Sequence, residues 1–476
     1  MMSLSKTSAL RVKRSALSVG CLMFIFTGCV AHPEKPLTTP APALAMAVAP
    51  LSTNALEEIT RPLPKEWWTA FDDTELNRLI ARAREQNRNL AQAAARIEAA
   101  QATARLVGAD AALQVSGSGN VSRSRISENT VSSPLIPLYQ TRLGIGFQFV
   151  YEADLWGRIR ALREAAKKQV ELSVADRATA EIALCAEVAK AHLNRLAVLR
   201  EQRVVERQLL AYAETEKIQT IRTDAGFSTD LDASRTRVEV ATREGELAVL
   251  REREQALRLA LDILCGDAAG ANTFTNQPSQ EQRVPLIPRT LSLALLEQRP
   301  DVAAKRLRWE AAFQRVCAAQ AARYPALTLS GKIGTESERL SDLLDWKSRL
   351  WSLVAGLSAP LLDGGRLKAA KDVEQAGLKE AAAGYEVAVL TAYREVADAL
   401  NTLRGIEERQ TATERARTAS LRTRELAKER YEKGFVTYLE VIESERSVLT
   451  AERTLVQLIA SRQTAIIDLI RALGIP

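Results

Sequence analysis

The sequence predicts a mainly α-helical fold with a membrane β-barrel part, on three observations: an internal repeat, four stretches of period-two alternation, and two very long helical runs. The repeat opens where Asn89-Leu90-Ala91 and Arg96-Ile97-Glu98-Ala99-Ala100 match Asp301-Val302-Ala303 and Arg308-Trp309-Glu310-Ala311-Ala312, an offset of 212. Ala112-Leu113-Gln114-Val115-Ser116-Gly117 matches Ala326-Leu327-Thr328-Leu329-Ser330-Gly331 at 214, and Gly157-Arg158 and Gly226-Phe227 match Gly365-Arg366 and Gly434-Phe435 at 208. Repetition on this scale marks a unit that cannot bury its apolar face alone and closes against copies of itself. Aromatic content of only 5%, with abundant Ala, suits closely packed helices better than a large globular core.

In chain order, residues 1–28 read as an export signal: Lys6, Arg11, Lys13 and Arg14 precede an apolar run, Ala16 to Phe26, too short to span a bilayer. The run ends in Phe26-Thr27-Gly28-Cys29, which resembles a bacterial lipoprotein cleavage site with Cys29 diacylated as the new N-terminus. In that pattern Val30, in place of Asp, implies sorting to the outer membrane. Loss of the leader's four cations lowers the formal charge from +7 to +3, so nucleic-acid binding loses its main argument. Residues 29–64, rich in Pro, Ala and Thr without a period, suit an extended tether.

Order begins at Trp67-Trp68-Thr69-Ala70-Phe71-Asp72-Asp73, an aromatic anchor before an N-cap, with helical spacing over 74–109. Period two follows: Leu113, Val115, Gly117, Gly119 and Val121 share one strand face, then Leu143, Ile145, Phe147, Phe149 and Tyr151. It recurs at Leu327, Leu329, Gly331 and Ile333 and at Trp351, Leu353, Ala355 and Leu357, making two hairpins. Strands of about ten residues, apolar on one face and small or polar on the other, match a membrane barrel wall. Soluble hairpins packed on a core are the alternative. The turns Asp154-Leu155-Trp156-Gly157-Arg158 and Leu362-Asp363-Gly364-Gly365-Arg366 lead into 158–223 and 366–432, which lack Pro and would each run roughly 100 Å. Helices 74–109 and 229–265, about 55 Å each, would together match one long helix. The segment 266–289, with Asn272, Pro278, Pro285 and Pro288, breaks helicity as a collar.

The ordered chain thus divides at 65–290 and 291–476, and it resembles the outer-membrane efflux factors, the TolC-like channels and in particular the lipoprotein members typified by nodulation protein T. Trp67-Trp68 with Phe71-Asp72-Asp73, Arg299-Pro300-Asp301-Val302, Arg323-Tyr324-Pro325-Ala326-Leu327 and Leu361-Leu362-Asp363-Gly364-Gly365-Arg366 carry the resemblance over nearly the whole mature chain. It implies a homotrimer giving four strands per chain to a twelve-stranded outer-membrane barrel and its helices to a periplasmic tunnel. It further implies a passive exit duct of a tripartite efflux pump, working with a periplasmic adaptor (membrane fusion) protein and an inner-membrane transporter of the RND type. Independently, four strands cannot close a pore, so their edges demand copies.

Gly226 and Gly434 stand where a long helix ends and a shorter one returns, as left-handed caps. The resemblance makes the tips Gly226, Phe227, Gly434 and Phe435 the adaptor-docking mouth. Just beyond lie Asp230, Asp232 and Arg235, then Glu440, Glu443 and Arg446, the latter three on one helix face by their spacing of three. In the family such positions form a periplasmic gate of acidic rings and ionic links, which assigns Asp232, Arg235, Glu440, Glu443 and Arg446 to it. A solvated face with ordinary i,i+3 pairs is the alternative.

Catalysis finds no support. The two histidines, His32 in the tether and His192 in a long helix, make no triad, and no phosphate loop or metal-ligand cluster is present. No cofactor is expected beyond the lipid on Cys29. Cys185, Cys265 and Cys317 read as buried inert thiols, and all four methionines precede the ordered region. A structural outer-membrane spacer remains the competing reading, from which the apolar strand faces discriminate.

Overall fold

Without proline to interrupt them, the two long runs fold as single helices, and both halves of the chain are built to the same lengths. The computed structural model describes residues 66–127, 129, 138–227, 229–271, 274 and 298–475. The leader 1–28, Cys29, the tether 29–64 with His32, and most of the 266–289 segment lie outside the described residues. The first half contains α1 (Thr74–Gln86), α2 (Arg88–Ala109), β1 (Gln114–Arg125), β2 (Tyr139–Ala153), α3 (Arg158–Asp224) and α4 (Asp230–Leu264). The second contains α5 (Pro300–Ala321), β3 (Ala326–Ser337), β4 (Arg349–Ser358), α6 (Arg366–Glu432) and α7 (Tyr438–Ala472). Helices α2 and α5 have 22 residues each, α3 and α6 have 67, and α4 and α7 have 35.

The continuous helix expected over 74–109 is instead two. Asn87 adopts an extended backbone, φ −62° and ψ 126°, and its side-chain oxygen accepts from the N–H groups of Asn89 and Leu90 as the cap of α2. Its Nδ2 donates to the Leu264 carbonyl at 2.8 Å, so the end of α4 abuts the start of α2. The end-to-end stack therefore joins α4 to α2 alone. Helix α1 departs from it and buries Leu76, Leu79, Ile80 and Ala83 with Trp67 and Phe71, in one core with Val188, Ala189 and Leu193 of α3. Gly266 seals the junction at φ +82°, where a Cβ would overlap the Gln86 carbonyl.

The second half repeats the joint with different chemistry. Arg299 caps α5 in sequence position and its Nη1 donates to the Ala472 carbonyl at 2.6 Å, while Gly474 at φ +69° lies against it. Burial opposes the charge of Arg299, but Asp301 at 2.7 Å and Glu395 at 2.8 Å more than offset it and raise its pKa.

The four strands form one antiparallel sheet in the order β1-β2-β3-β4. Register sets Val115 opposite Phe149 and Val121 opposite Leu143, then Phe147 opposite Ile333 and Tyr151 opposite Leu329. Leu327 pairs with Leu357 and Ile333 with Trp351, which brings all four apolar sets to one face of the sheet. Strand β2 extends beyond the expected ten residues to 15, because Tyr139 to Arg142 continue the alternation and pair with β1. Among the described residues no helix is long and apolar enough to cross a membrane.

Candidate functional site

Both tips end as the sequence requires. Gly226 at φ +77° donates to the Thr223 carbonyl and Phe227 to that of Arg222, while Gly434 at φ +75° donates to Tyr431 and Phe435 to Arg430. These are matched Schellman closures, whose residue after the Gly ordinarily packs back on the last turn. Here that turn offers Arg222 and Arg430, and both rings stay out: Phe227 is 78% exposed and Phe435 72%. Two aromatic side chains are thus left largely open to solvent at one end of the helical hairpins.

Beyond the tips, the sequence pairing of Glu443 with Arg446 is found, at 3.1 Å. It is the lesser of Arg446's contacts. Both Nε and Nη2 of Arg446 reach Glu239 on α4, whose side chain is only 2% exposed, and this hydrogen bond is the chief cause of Arg446's raised pKa. Asp232 pairs with Arg235 at 3.5 Å and accepts from the Thr229 hydroxyl. Asp230 pairs with Arg237, and Glu440 is exposed at the start of α7 with no ion pair among the described residues. The five candidate residues therefore divide: Glu443 and Arg446 join a link between helices, Asp232 and Arg235 form a local pair, and Glu440 stands apart.

Sequence reasoning missed the rest of that link. Arg243 bridges Glu239 at 3.2 Å and Glu246 at 2.8 Å, Arg453 reaches Glu246 at 3.1 Å, and Glu201 of α3 lies 3.8 Å from Arg453 and accepts from Gln457. Carboxylates at 239 and 246 face guanidiniums at 446 and 453, one heptad apart on each helix, which is the spacing that keeps two helices facing. A scan for Glu and Arg at matched heptads in the two hairpins would have found it. Arg243, Glu246, Arg446, Arg453 and Gln457 line a groove of about 380 Å³ between α4 and α7.

Nearer the stacked joint, Arg195, fully buried, donates to Glu254 at 2.8 Å and lies with Arg258 over the Phe274 ring. Burial lowers the pKa of Arg195 in spite of that carboxylate. His192 is packed, its Nε2 3.0 Å from the Asp73 carboxylate that also caps α1. Burial pushes the Cys185 thiol up to about 12 and that of Cys265 to about 11, while Cys317 is half-buried and also raised. Among the described residues no cluster of His, Cys, Asp and Glu is placed to hold a metal.

At the far end, β1 and β4 are the two margins of the sheet, each hydrogen-bonded on one side only among the described residues. Their apolar side chains are open: Val121 is 78% exposed, Trp351 79% and Leu353 77%. The chain thus joins a sheet with two bare edges and an apolar face, among the described residues, to helices of about 100 Å.

Comparison with known proteins fits this arrangement. Outer membrane protein OprJ of Pseudomonas aeruginosa is 33% identical over 474 residues, covering 97% of this chain and 96% of the relative. Cation efflux system protein CusC of Escherichia coli is 28% identical over 95% of this chain and 98% of its own. The crystal structure of outer membrane protein VceC from Vibrio cholerae superposes with a TM-score of 0.80 at 29% identity, over 87% of this chain and 99% of that one. The outer membrane efflux protein family matches residues 79–267 and 291–475, one segment in each half, and the chain belongs to that family.

Proposed function

We propose that three copies of this chain close a twelve-stranded barrel in the outer membrane and serve as the passive exit duct of a tripartite efflux pump. The single observation that carries the reading is the sheet: its bare β1 and β4 edges, beside an exposed apolar face, are untenable in lipid unless further copies pair with them. A mere spacer needs no such face. Energy comes from an inner-membrane transporter of the RND type, small molecules pass through the helical part in the periplasm, and Cys29 carries the lipid anchor. Residues 65–290 and 291–476 are the two structural units. Heat-resistant trimers on gels together with single-channel conductance in planar bilayers test it; a well-folded monomer that needs no detergent would remove it.

The tips, with Phe227 and Phe435 exposed, receive the helical hairpins of the periplasmic adaptor. The gate is the set of links from Arg446 to Glu239 and Glu443, supported by Asp232, Arg235 and Glu440 nearer the mouth. Opening it requires a partner that stabilises the separated helices by more than the links hold them together. Neutralising both Glu239 and Arg446 is expected to raise open probability at rest; an unchanged conductance would dismiss the lock. Loss of acyl labelling in Cys29→Ser tests the anchor.

A further inference from the structure

The apolar face of the sheet carries charge in one place. Taking every residue in register with Val115, Leu143, Leu327 and Leu357, the only ionisable cations or carboxylates are Arg123, Arg125 and Arg349. All three lie at the end of the strands away from the helices, and Glu336, Lys332 and Arg142 point to the opposite face by register. Each guanidinium lies against an aromatic ring: Arg123 and Arg125 at 6.0 and 5.8 Å from the Tyr139 centroid, Arg349 at 3.5 Å from that of Trp346. Arg123 and Arg349 make no ion pair among the described residues, and both are exposed. Tyr139 and Tyr151, on the same face of β2, lie about 40 Å apart along the strand, or about 28 Å along the membrane normal at a usual barrel tilt. The arginines therefore sit at the upper limit of a hydrocarbon layer of about 30 Å.

These residues stand at the two margins of the sheet. Arg123 and Arg125 are on β1 and Arg349 is on β4, so barrel closure sets the β4 of one copy beside the β1 of the next and gathers the three guanidiniums at every seam. Resting on the barrel reading above, we infer that each seam is a binding site for the phosphorylated glycolipid of the outer leaflet, with its phosphates on the arginines and its acyl chains along the apolar stripe. Stacking occupies the flat face of a guanidinium and leaves the N–H edges of Arg123 and Arg349 for bidentate contact with phosphate. The long stems let the charges rise to the headgroup level while the strands remain in lipid. Among the described strand residues this face carries no carboxylate, which favours an anion over a divalent cation as the occupant.

The test uses the full-length protein purified as its trimer, with bis-phosphorylated lipid A as probe and native mass spectrometry as readout. Wild type is expected to retain lipid A, and Arg123→Gln with Arg349→Gln to weaken retention by tenfold or more, as loss of charge-assisted hydrogen bonds implies. Arg123→Lys with Arg349→Lys should fall between, and Lys332→Gln on the other face should match wild type. Retention unchanged in the double Gln variant, or equal retention of dephosphorylated lipid A, overturns the site while trimer and conductance stand. Failure of the wild-type chain to form a trimer overturns the barrel reading, and the site with it.

Discussion

Helices α3 and α6 have the same length, the same preceding Gly turn and the same closing motif, yet they occupy different surroundings. Helix α3 packs against α1, α2, α4, α5 and α7 and buries Val188, Ala189, Leu193, Val198 and Val205. Helix α6 packs against α5 and α7 and leaves Val373, Val387 and Leu390 exposed at 69, 61 and 51%. Duplication fixed the backbone frame, and side chains then diverged according to what each copy meets. The returning helices diverged in charge, since α4 contributes Glu239 and Glu246 and α7 Arg446 and Arg453. A pair of identical hairpins could not have made that link.

The sharpest way to break this comparison is to cut the same repeat position in both helices. Leu193 is fully buried, and its counterpart 208 residues on is the exposed Asn401. Leu193→Ala should cost about 2–5 kcal/mol in denaturant unfolding, and Asn401→Ala about 0.5 kcal/mol or less. Comparable losses would mean that the halves are equally covered. The two glycine joints come next. A Cβ at Gly266 meets backbone, the Gln86 carbonyl, whereas one at Gly474 first meets the Arg299 Cγ, at 2.6 Å, before that residue's backbone. Gly266→Ala should therefore lower stability by about 3 kcal/mol and Gly474→Ala by about 1–2 kcal/mol, with positive φ strained in both.

Charge asymmetry is tested at the link. Glu239→Gln leaves Arg446 with the exposed Glu443 and Arg243 with Glu246, and should cost about 2 kcal/mol, whereas Glu443→Gln should cost under about 1 kcal/mol. Thermal unfolding of the two variants decides which carboxylate holds Arg446.

These contrasts also explain what was legible beforehand. The ends of α3 and α6 were readable to within a residue, because Gly157, Gly226, Gly365 and Gly434 punctuate runs that contain no Pro. Strand faces were readable because period two alone determines which side chains share a face. The break at Asn87 was not, since one Asn inside an Ala-rich pattern costs a helix little and its capping role depends on Leu264, far away in sequence. Nor was the Arg446 partnership with Glu239, 207 residues apart. Local spacing finds Glu443, whereas the stronger partner emerges only when the heptads of the two hairpins are set side by side.

Alkaline pH separates the halves more gently. The first half places Cys185 and Cys265 where the second has Tyr393 and Leu473. Burial raises both thiols, to about 12 and about 11, so unfolded thiols ionise first. Their contribution to stability is complete below the unfolded value near 9.0 and is lost as pH rises through the folded values. Stability should thus fall above pH 9 by up to about 1 kcal/mol per pH unit for each thiol, and less steeply in Cys265→Leu, which copies the second half.

The smallest expected effect on stability falls at the tips, where the two halves agree. Phe227→Ala and Phe435→Ala remove rings that touch little of their own chain, so each should change unfolding free energy by less than about 0.5 kcal/mol. Had these rings served the Schellman closure, their loss would weaken the helix ends and show in hydrogen exchange at Arg222 and Arg430. If they serve a partner, exchange stays as it was while efflux in cells falls. An exposed aromatic gains its burial energy only when something covers it, so the double variant should lose more transport than the product of the singles if one adaptor hairpin spans both tips. Simple multiplication of the single losses would instead assign the two tips to separate hairpins, and the repeat would then extend from the backbone to the way the molecule is gripped.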